Sequence, residues 1–152
     1  MLGELNPEQI EQVLHSQVIG RLGCHAGGRT YIVPITYAYD GERIICHSGL
    51  GMKVQMMRSN PEVCFEVEQV DNLANWRSVI AWGNYEELHG EAATKAMEKL
   101  VARVMPLLVS STIRLSHVEQ ALMQGKEYEP SPHAVIFCIH LKEKISRFEK
   151  RD

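Results

Sequence analysis

Apolar and polar positions alternate in blocks along most of the chain, and turn residues separate the blocks. Val18 to His25 predicts a first strand, closed by Gly27-Gly28. From Thr30 to Tyr39 the odd positions Tyr31, Val33, Ile35, Tyr37 and Tyr39 take one face; Ile32, Pro34, Thr36 and Ala38 take the other. Asp40-Gly41 is a hairpin pair, and Arg43 to Ser48 returns as a third strand. Val63 to Val70 sets Val63, Phe65 and Val67 against Cys64, Glu66 and Glu68. A polar loop is expected from Asp71 to Arg77, then a long fifth strand from Ser78 to Leu88. Gly83 in its middle predicts a bulge or bend. Ala134 to Phe148 is the last strand, with Val135, Phe137, Ile139 and Leu141 on one side until the pattern breaks at Lys142-Glu143-Lys144.

Helical spacing interrupts this pattern. Asn6 can cap a helix, Pro7 suits its first position, Gln9 can reach back, and Ile10, Val13 and Leu14 form its stripe. Gly90 to Val104 places Ala93, Met97, Leu100, Val101 and Val104 on one face, and Pro106 stops it. Val54 to Arg58 is one or two helical turns before the breaker Asn60-Pro61. Ser116 to Glu119 reads as a capping box for a short helix through Met123, ended by Gly125, with a loop at Tyr128–Pro132. Hairpins dominate this order, so one domain over residues 1–152 is expected, mainly β (β + α): a six-stranded antiparallel barrel with flanking helices. Such a barrel is too narrow to enclose a cofactor, so any ligand binds outside it.

The stretch His47-Ser48-Gly49-Leu50-Gly51-Met52-Lys53 carries the first chemistry. It reads as a strand end, a glycine-bent turn and a helix start. Gly49 and Gly51 are expected to use backbone angles closed to other residues, so that N–H groups converge. Lys53 then falls in the first helical turn, where a cation opposes the helix dipole at a cost of roughly 0.3–1 kcal/mol. A bound phosphate reverses that sign. The alternative is a solvated lysine at a hairpin exit. Val54 follows Lys53 where a Walker loop needs Ser or Thr, and no third glycine completes a dinucleotide fingerprint. Pro34 cannot donate a ladder hydrogen bond. Its strand is therefore interrupted or lies at an edge, with backbone open to a ligand on that side.

Composition narrows the classes. A net charge of −3, with no basic tract, argues against nucleic acid as a partner. No stretch is long and apolar enough for a membrane span, and the N-terminus has no signal-peptide pattern, so a cytoplasmic protein is expected. Cys24, Cys46, Cys64 and Cys138 form no C-x-x-C pair, and reduced buried thiols are expected. The adjacent pairs Cys24-His25 and Cys46-His47 point to opposite faces and cannot chelate one ion, so no metal ligands are expected. His133 and His140 read as structural or surface residues. Glu66 and Glu68 show no spacing that argues for acid–base catalysis. Of Trp76 and Trp82, Trp76 is the one expected in a loop where it could stack on a ligand.

The strings Ile19-Gly20-Arg21-Leu22-Gly23, Tyr31 to Tyr37, His47 to Lys53, Asn60 to Phe65 and Trp76 to Gly83 occur in that order. Together they resemble the pyridoxamine 5′-phosphate oxidase-like flavoproteins, nearest the branch that contains the nitroimidazole-resistance (Nim) proteins. The resemblance implies a split barrel and a homodimer with FMN in two symmetric clefts at the subunit interface. It implies that Val33, Pro34, Ile35 and Thr36 lie along the ring edge, with His47 and Ser48 beside the ribityl chain and phosphate. Met52 and Lys53 would meet the phosphate, and Asn75, Trp76, Arg77 and Ser78 of the second subunit would close the cleft. Two departures stand out. Met52 occupies the place where the true oxidases carry an arginine, which removes a bidentate fork. Their Trp and Arg-x-His substrate motif is not reproduced after Ala134 by Arg147 and Phe148. Vitamin B6 oxidation is therefore not expected. The implied function is an FMN-dependent oxidoreductase passing electrons from a reduced nicotinamide nucleotide to a nitro compound or quinone. The alternatives are a non-catalytic FMN-storage or sensing module, and a haem- or deazaflavin-binding relative. No catalytic residue stands out; His47 and Arg77 are the first to test.

Overall fold

The computed structural model of the chain describes residues 1–107 and 134–152. The short helix expected near Ser116–Met123, the loop at Tyr128–Pro132 and His133 lie outside the described residues. Six long strands carry the fold: β2 (Ile19–Ala26), β3 (Arg29–Thr36), β5 (Arg43–Gly49), β6 (Glu62–Asn72), β7 (Asn75–Leu88) and β8 (Ala134–Lys150). Two-residue strands β1 (Leu2–Gly3) and β4 (Ala38–Tyr39) join them, with helices α1 (Pro7–Ser16), α2 (Met52–Ser59) and α3 (Gly90–Val104). All pairings are antiparallel, in the order β3-β2-β6-β7-β8-β5-β4, with β1 added to β8.

The two ends of that order, β3 and β4, are consecutive in the chain, with only Tyr37 between them. The backbone therefore carries the sheet round from one edge to the other, and no ladder joins β3 to β4. The result is a curled open sheet, a split barrel, as the family resemblance implies. Its interior is filled by side chains. Leu22, Tyr37, Ile44, Phe65, Val67 and Phe137 are all fully buried. Tyr37 meets Phe65 edge-on at 4.9 Å, and its hydroxyl donates to the Leu14 carbonyl at 2.7 Å. Each such side chain is worth roughly 1.5–3 kcal/mol of burial.

Helix α1 packs against β6 and β7, and α2 against β2. α3 lies on the outer side of the sheet, where Ala93, Ala96, Met97 and Leu100 cover Ile45, Leu88, Ile136 and Cys138. β8 is thus buried on both faces over Val135–Ile139.

Three local features have direct causes. β3 runs through Pro34 without a break because it is an edge strand, and the missing N–H costs it no ladder bond. The expected loop at Asp71–Arg77 is instead a turn at Leu73-Ala74. The Asn72 side chain accepts from Ala74 N at 2.9 Å and from Asn75 Nδ2 at 3.1 Å, and so closes it in two residues. Gly83 marks a bulge: Trp82 pairs with Glu143 but Gly83 with Leu141, which leaves Lys142 unpaired opposite them. A Cβ at Gly83 would stand 2.2 Å from the His140 carbonyl oxygen, so no other residue fits.

Candidate functional site

The turn after β5 leads into α2 at Gly51, which caps the helix with extended backbone and no side-chain hydrogen bond. No acid lies in the first turn. Four N–H groups therefore start this helix without a side-chain partner, and the residue placed among them is Lys53. Neither Gly49 nor Gly51 has a positive φ; the left-handed glycines are Gly27, Gly28, Gly41 and Gly90. The expected conformational role of Gly49 and Gly51 is therefore corrected. What they provide is room, because a Cβ on either would meet nothing within 4 Å. Leu50 and Met52 beside them are 45% and 48% exposed. Open backbone, an unanswered helix start, a cation and exposed apolar side chains thus meet at one corner.

The charge of Lys53 reaches two buried thiols. Burial pushes both Cys24 and Cys46 upward, and Lys53 opposes the shift at each. Val33 and Ile35 pack into the same core cluster as Val54 and Cys46, and α2 itself packs on β2, the ladder neighbour of β3. Pro34 and Thr36 alternate to the outer face and are exposed. Ser48 is buried and donates to the Gly49 carbonyl at 2.8 Å. His47 is half-buried and pairs across the ladder with Ile136, on the face that α3 covers.

Asn75, Trp76, Arg77 and Ser78 lie elsewhere. They open β7 as strand, so alternation divides them between two faces. Asn75 and Arg77 turn inward: Arg77 donates to Gln69 Oε1, and Asn75 Oδ1 accepts from Arg151 N at 3.2 Å. Trp76 and Ser78 share the outer face with Ile80 and Trp82. Trp76 and Arg77 line a groove of about 470 Å³ beside Gln69 and Phe148. Within one chain this group is remote from Lys53. Lys53 acts on Cys24, whose neighbour Gly23 pairs with Cys64; Trp76 pairs with Val70, six residues further along β6, roughly 20 Å away at about 3.3 Å per residue.

Among the described residues, no helix lies over the outer face of β3, β2, β6 and β7 with the second half of β8. Ile19, Ile32, Val70, Trp82 and Ile145 stand exposed on it, at 39–66%. The register sets Pro34, Arg21, Glu66, Ile80 and Ile145 in one cross-strand row. A groove of about 650 Å³ crosses it, lined by Arg21, Ile32, Cys64, Glu66, Trp82 and Lys142. Arg21 pairs with Glu68 at 3.2 Å. Burial, then the hydrogen bond and charge of Glu68, push Glu66 up to about 7, with Arg21 opposing. The sequence shows this pair only as alternate acids on a strand, which places both on one face.

A protein of unknown function from Rhizobium meliloti is 38% identical over 84 residues, 55% of this chain and 56% of that protein; the match thus spans about half the length of the relative. Among solved structures, an FAD-binding protein from Mesorhizobium loti superposes with a TM-score of 0.76 at 24% identity, over 99% of this chain and 98% of the other. A protein from Bacteroides thetaiotaomicron described as a 5-nitroimidazole antibiotic resistance protein gives 0.70 at 16% identity, over 97% and 87%. The flavocytochrome Anf3 of Azotobacter vinelandii gives 0.67 at 16%, over 97% and 68%. These likenesses establish the split-barrel fold. The profile of the family described as pyridoxamine 5′-phosphate oxidase matches residues 6–135. Among the described residues no helix is long and apolar enough to cross a membrane.

Proposed function

The chain belongs to the pyridoxamine 5′-phosphate oxidase family, and from that premise we propose that it is a flavin protein whose cofactor phosphate sits on the Gly49–Lys53 corner. The observation that carries this is the start of α2: no cap, no acid, and a lysine where a cation is unfavourable unless an anion answers it. The room over Gly49 and Gly51 suits close approach of a phosphate to the backbone. One ammonium and one helix start match a single terminal phosphate, which favours FMN over FAD. Val33 to Thr36, on an edge strand, offer backbone groups to the ring. His47 and Ser48 stand next along the chain toward the phosphate.

A second copy of the chain completes the site. The bare outer face, with its exposed Ile19, Ile32, Trp82 and Ile145, is the surface that copy would cover. It would also supply Trp76 and Ser78, which a single chain holds far from its own Lys53. A bound flavin supplies hydride and one-electron chemistry, and the protein supplies grip, orientation and exclusion of water. The activity we propose is transfer of electrons from a reduced nicotinamide nucleotide to a small nitro compound or quinone.

The test begins with the absorbance spectrum of the purified protein and mass identification of whatever heat releases. FMN and FAD titrations of the apoprotein then follow, with and without Lys53→Ala. A yellow protein that releases FMN, bleaches with NADH or NADPH and reoxidises with a nitro compound supports the whole reading. A yellow protein that never bleaches keeps the binding and removes the enzyme. A Soret band and no flavin overturns both. Light scattering of Trp82→Glu examines the second copy: the expected outcome is a monomer that has lost flavin.

A further inference from the structure

We propose that Glu86, Cys138 and His140 form a binding site for a divalent transition metal of zinc type, on the outer face of the sheet at the rim of α3. Cys138 and His140 are alternate residues of β8 and so share a face, and Glu86 sits opposite Cys138 on β7. One donor atom from each of the three falls within 4.8 Å of the others. His140 Nε2 lies 3.4 Å from Glu86 Oε2 and 3.5 Å from Cys138 Sγ. Around a tetrahedral zinc ion, bond lengths near 2.0–2.3 Å put nitrogen about 3.4 Å from oxygen and about 3.6 Å from sulfur. The two pairs that His140 makes already stand at those separations.

The chemistry of the trio points the same way. Cys138 and Glu86 both approach the same imidazole nitrogen. As a hydrogen-bonding atom that nitrogen is either donor or acceptor, and serves only one of them well. A shared ion serves both. Thiolate, imidazole and carboxylate together suit zinc, cobalt or copper and not magnesium or calcium. Cys138 is buried beneath α3, while Glu86 and His140 are exposed, so an ion reaches the site from solvent. The Arg43 guanidinium lies beside the thiol. Arg43 does not repel the ion as a bare cation, since Asp40 holds it at 2.9 Å; Lys99 lies further out, 3.9 Å from the same carboxylate. Three protein ligands leave a fourth position for water.

Co²⁺ is the probe, with Zn²⁺ as competitor and Mg²⁺ as control. The purified protein should take up one Co²⁺ per chain with a thiolate-to-cobalt charge-transfer band, which Zn²⁺ abolishes and Mg²⁺ does not. Cys138→Ser should remove the band. His140→Ala and Glu86→Gln alter exposed side chains and should keep the fold by circular dichroism. Each should weaken Co²⁺ by more than the roughly 10-fold that losing an outer supporting hydrogen bond costs. Flavin content should not change in His140→Ala or Glu86→Gln, which separates this site from the Lys53 corner. No stoichiometric uptake, uptake without the band, or an affinity unmoved in His140→Ala and Glu86→Gln would overturn the site; those two variants decide it even if Cys138→Ser does not fold.

Discussion

Two helices of this chain start in opposite ways. α1 has a complete capping box: Asn6 Oδ1 accepts from Gln9 N at 2.8 Å, and Gln9 Oε1 accepts from Asn6 N at 2.9 Å. Pro7 stands at its first position, and Glu8 in its first turn suits the dipole. α2 has a glycine cap without a side-chain bond, no acid, and Lys53. The first start is finished by its own residues. The second lacks every one of those devices and adds an unfavourable charge. On the function proposed above, the start left open at residue 51 is the one that the cofactor phosphate would complete.

That contrast can be broken or sharpened by substitution. Lys53→Ala should weaken FMN by roughly 1.5–3 kcal/mol, the scale of a hydrogen bond to a charged group, in a fluorescence titration; an unchanged Kd would remove the phosphate from this corner. Asn6→Ala should lower the unfolding free energy of the apoprotein by about 1 kcal/mol in urea, while leaving FMN affinity alone. Lys53→Glu should do the reverse to stability, raising that of the apoprotein by roughly 0.3–1 kcal/mol as an acid replaces a cation in the first turn, yet abolish flavin uptake. Gly51→Ser should add only a few tenths of a kcal/mol, about the difference between a serine and a glycine cap. It should still cost flavin affinity, by filling the room over the turn. A Gly51→Ser protein that binds FMN as well as the parent would show that this room is unused.

Much of the fold is legible in the residues. The alternation of Tyr31 to Tyr37 sets its odd positions on one face, and that face is the one packed on the core. Asn6 and Gln9 announced a cap that the structure contains, and α3 begins at Gly90 and ends at Val104 as its spacing implies. What escaped has physical causes. The polarity of Asp71–Arg77 suggested a loop, but one asparagine side chain closes the turn in two residues, and strand runs through the rest. Gly49 and Gly51 suggested special backbone angles, whereas their use is the absence of a side chain. For the candidate site, the corner at Lys53 could be read from local spacing. Which face Trp76 and Arg77 take could not, because that depends on where β7 begins. Cys138 and His140 carry no adjacent-pair signal, yet on a strand it is every second residue that can share a ligand.

The unpaired Lys142 opposite Gly83 has a further consequence. Before it, the odd residues of β8, such as Phe137 and Ile139, look into the barrel; after it, the even residues Ser146 and Phe148 do so. One 17-residue strand therefore slips phase midway and serves two neighbourhoods, a sandwich between core and α3 and then a one-sided wall. Deleting Lys142 would remove the bulge and leave Glu143 opposite Trp82 and Phe148 inside, whereas pairing Lys142 into an unbroken ladder would turn Phe148 to water and Arg147 toward the core. The hand-over from a covered to a bare surface thus hangs on a glycine with no room for a methyl group.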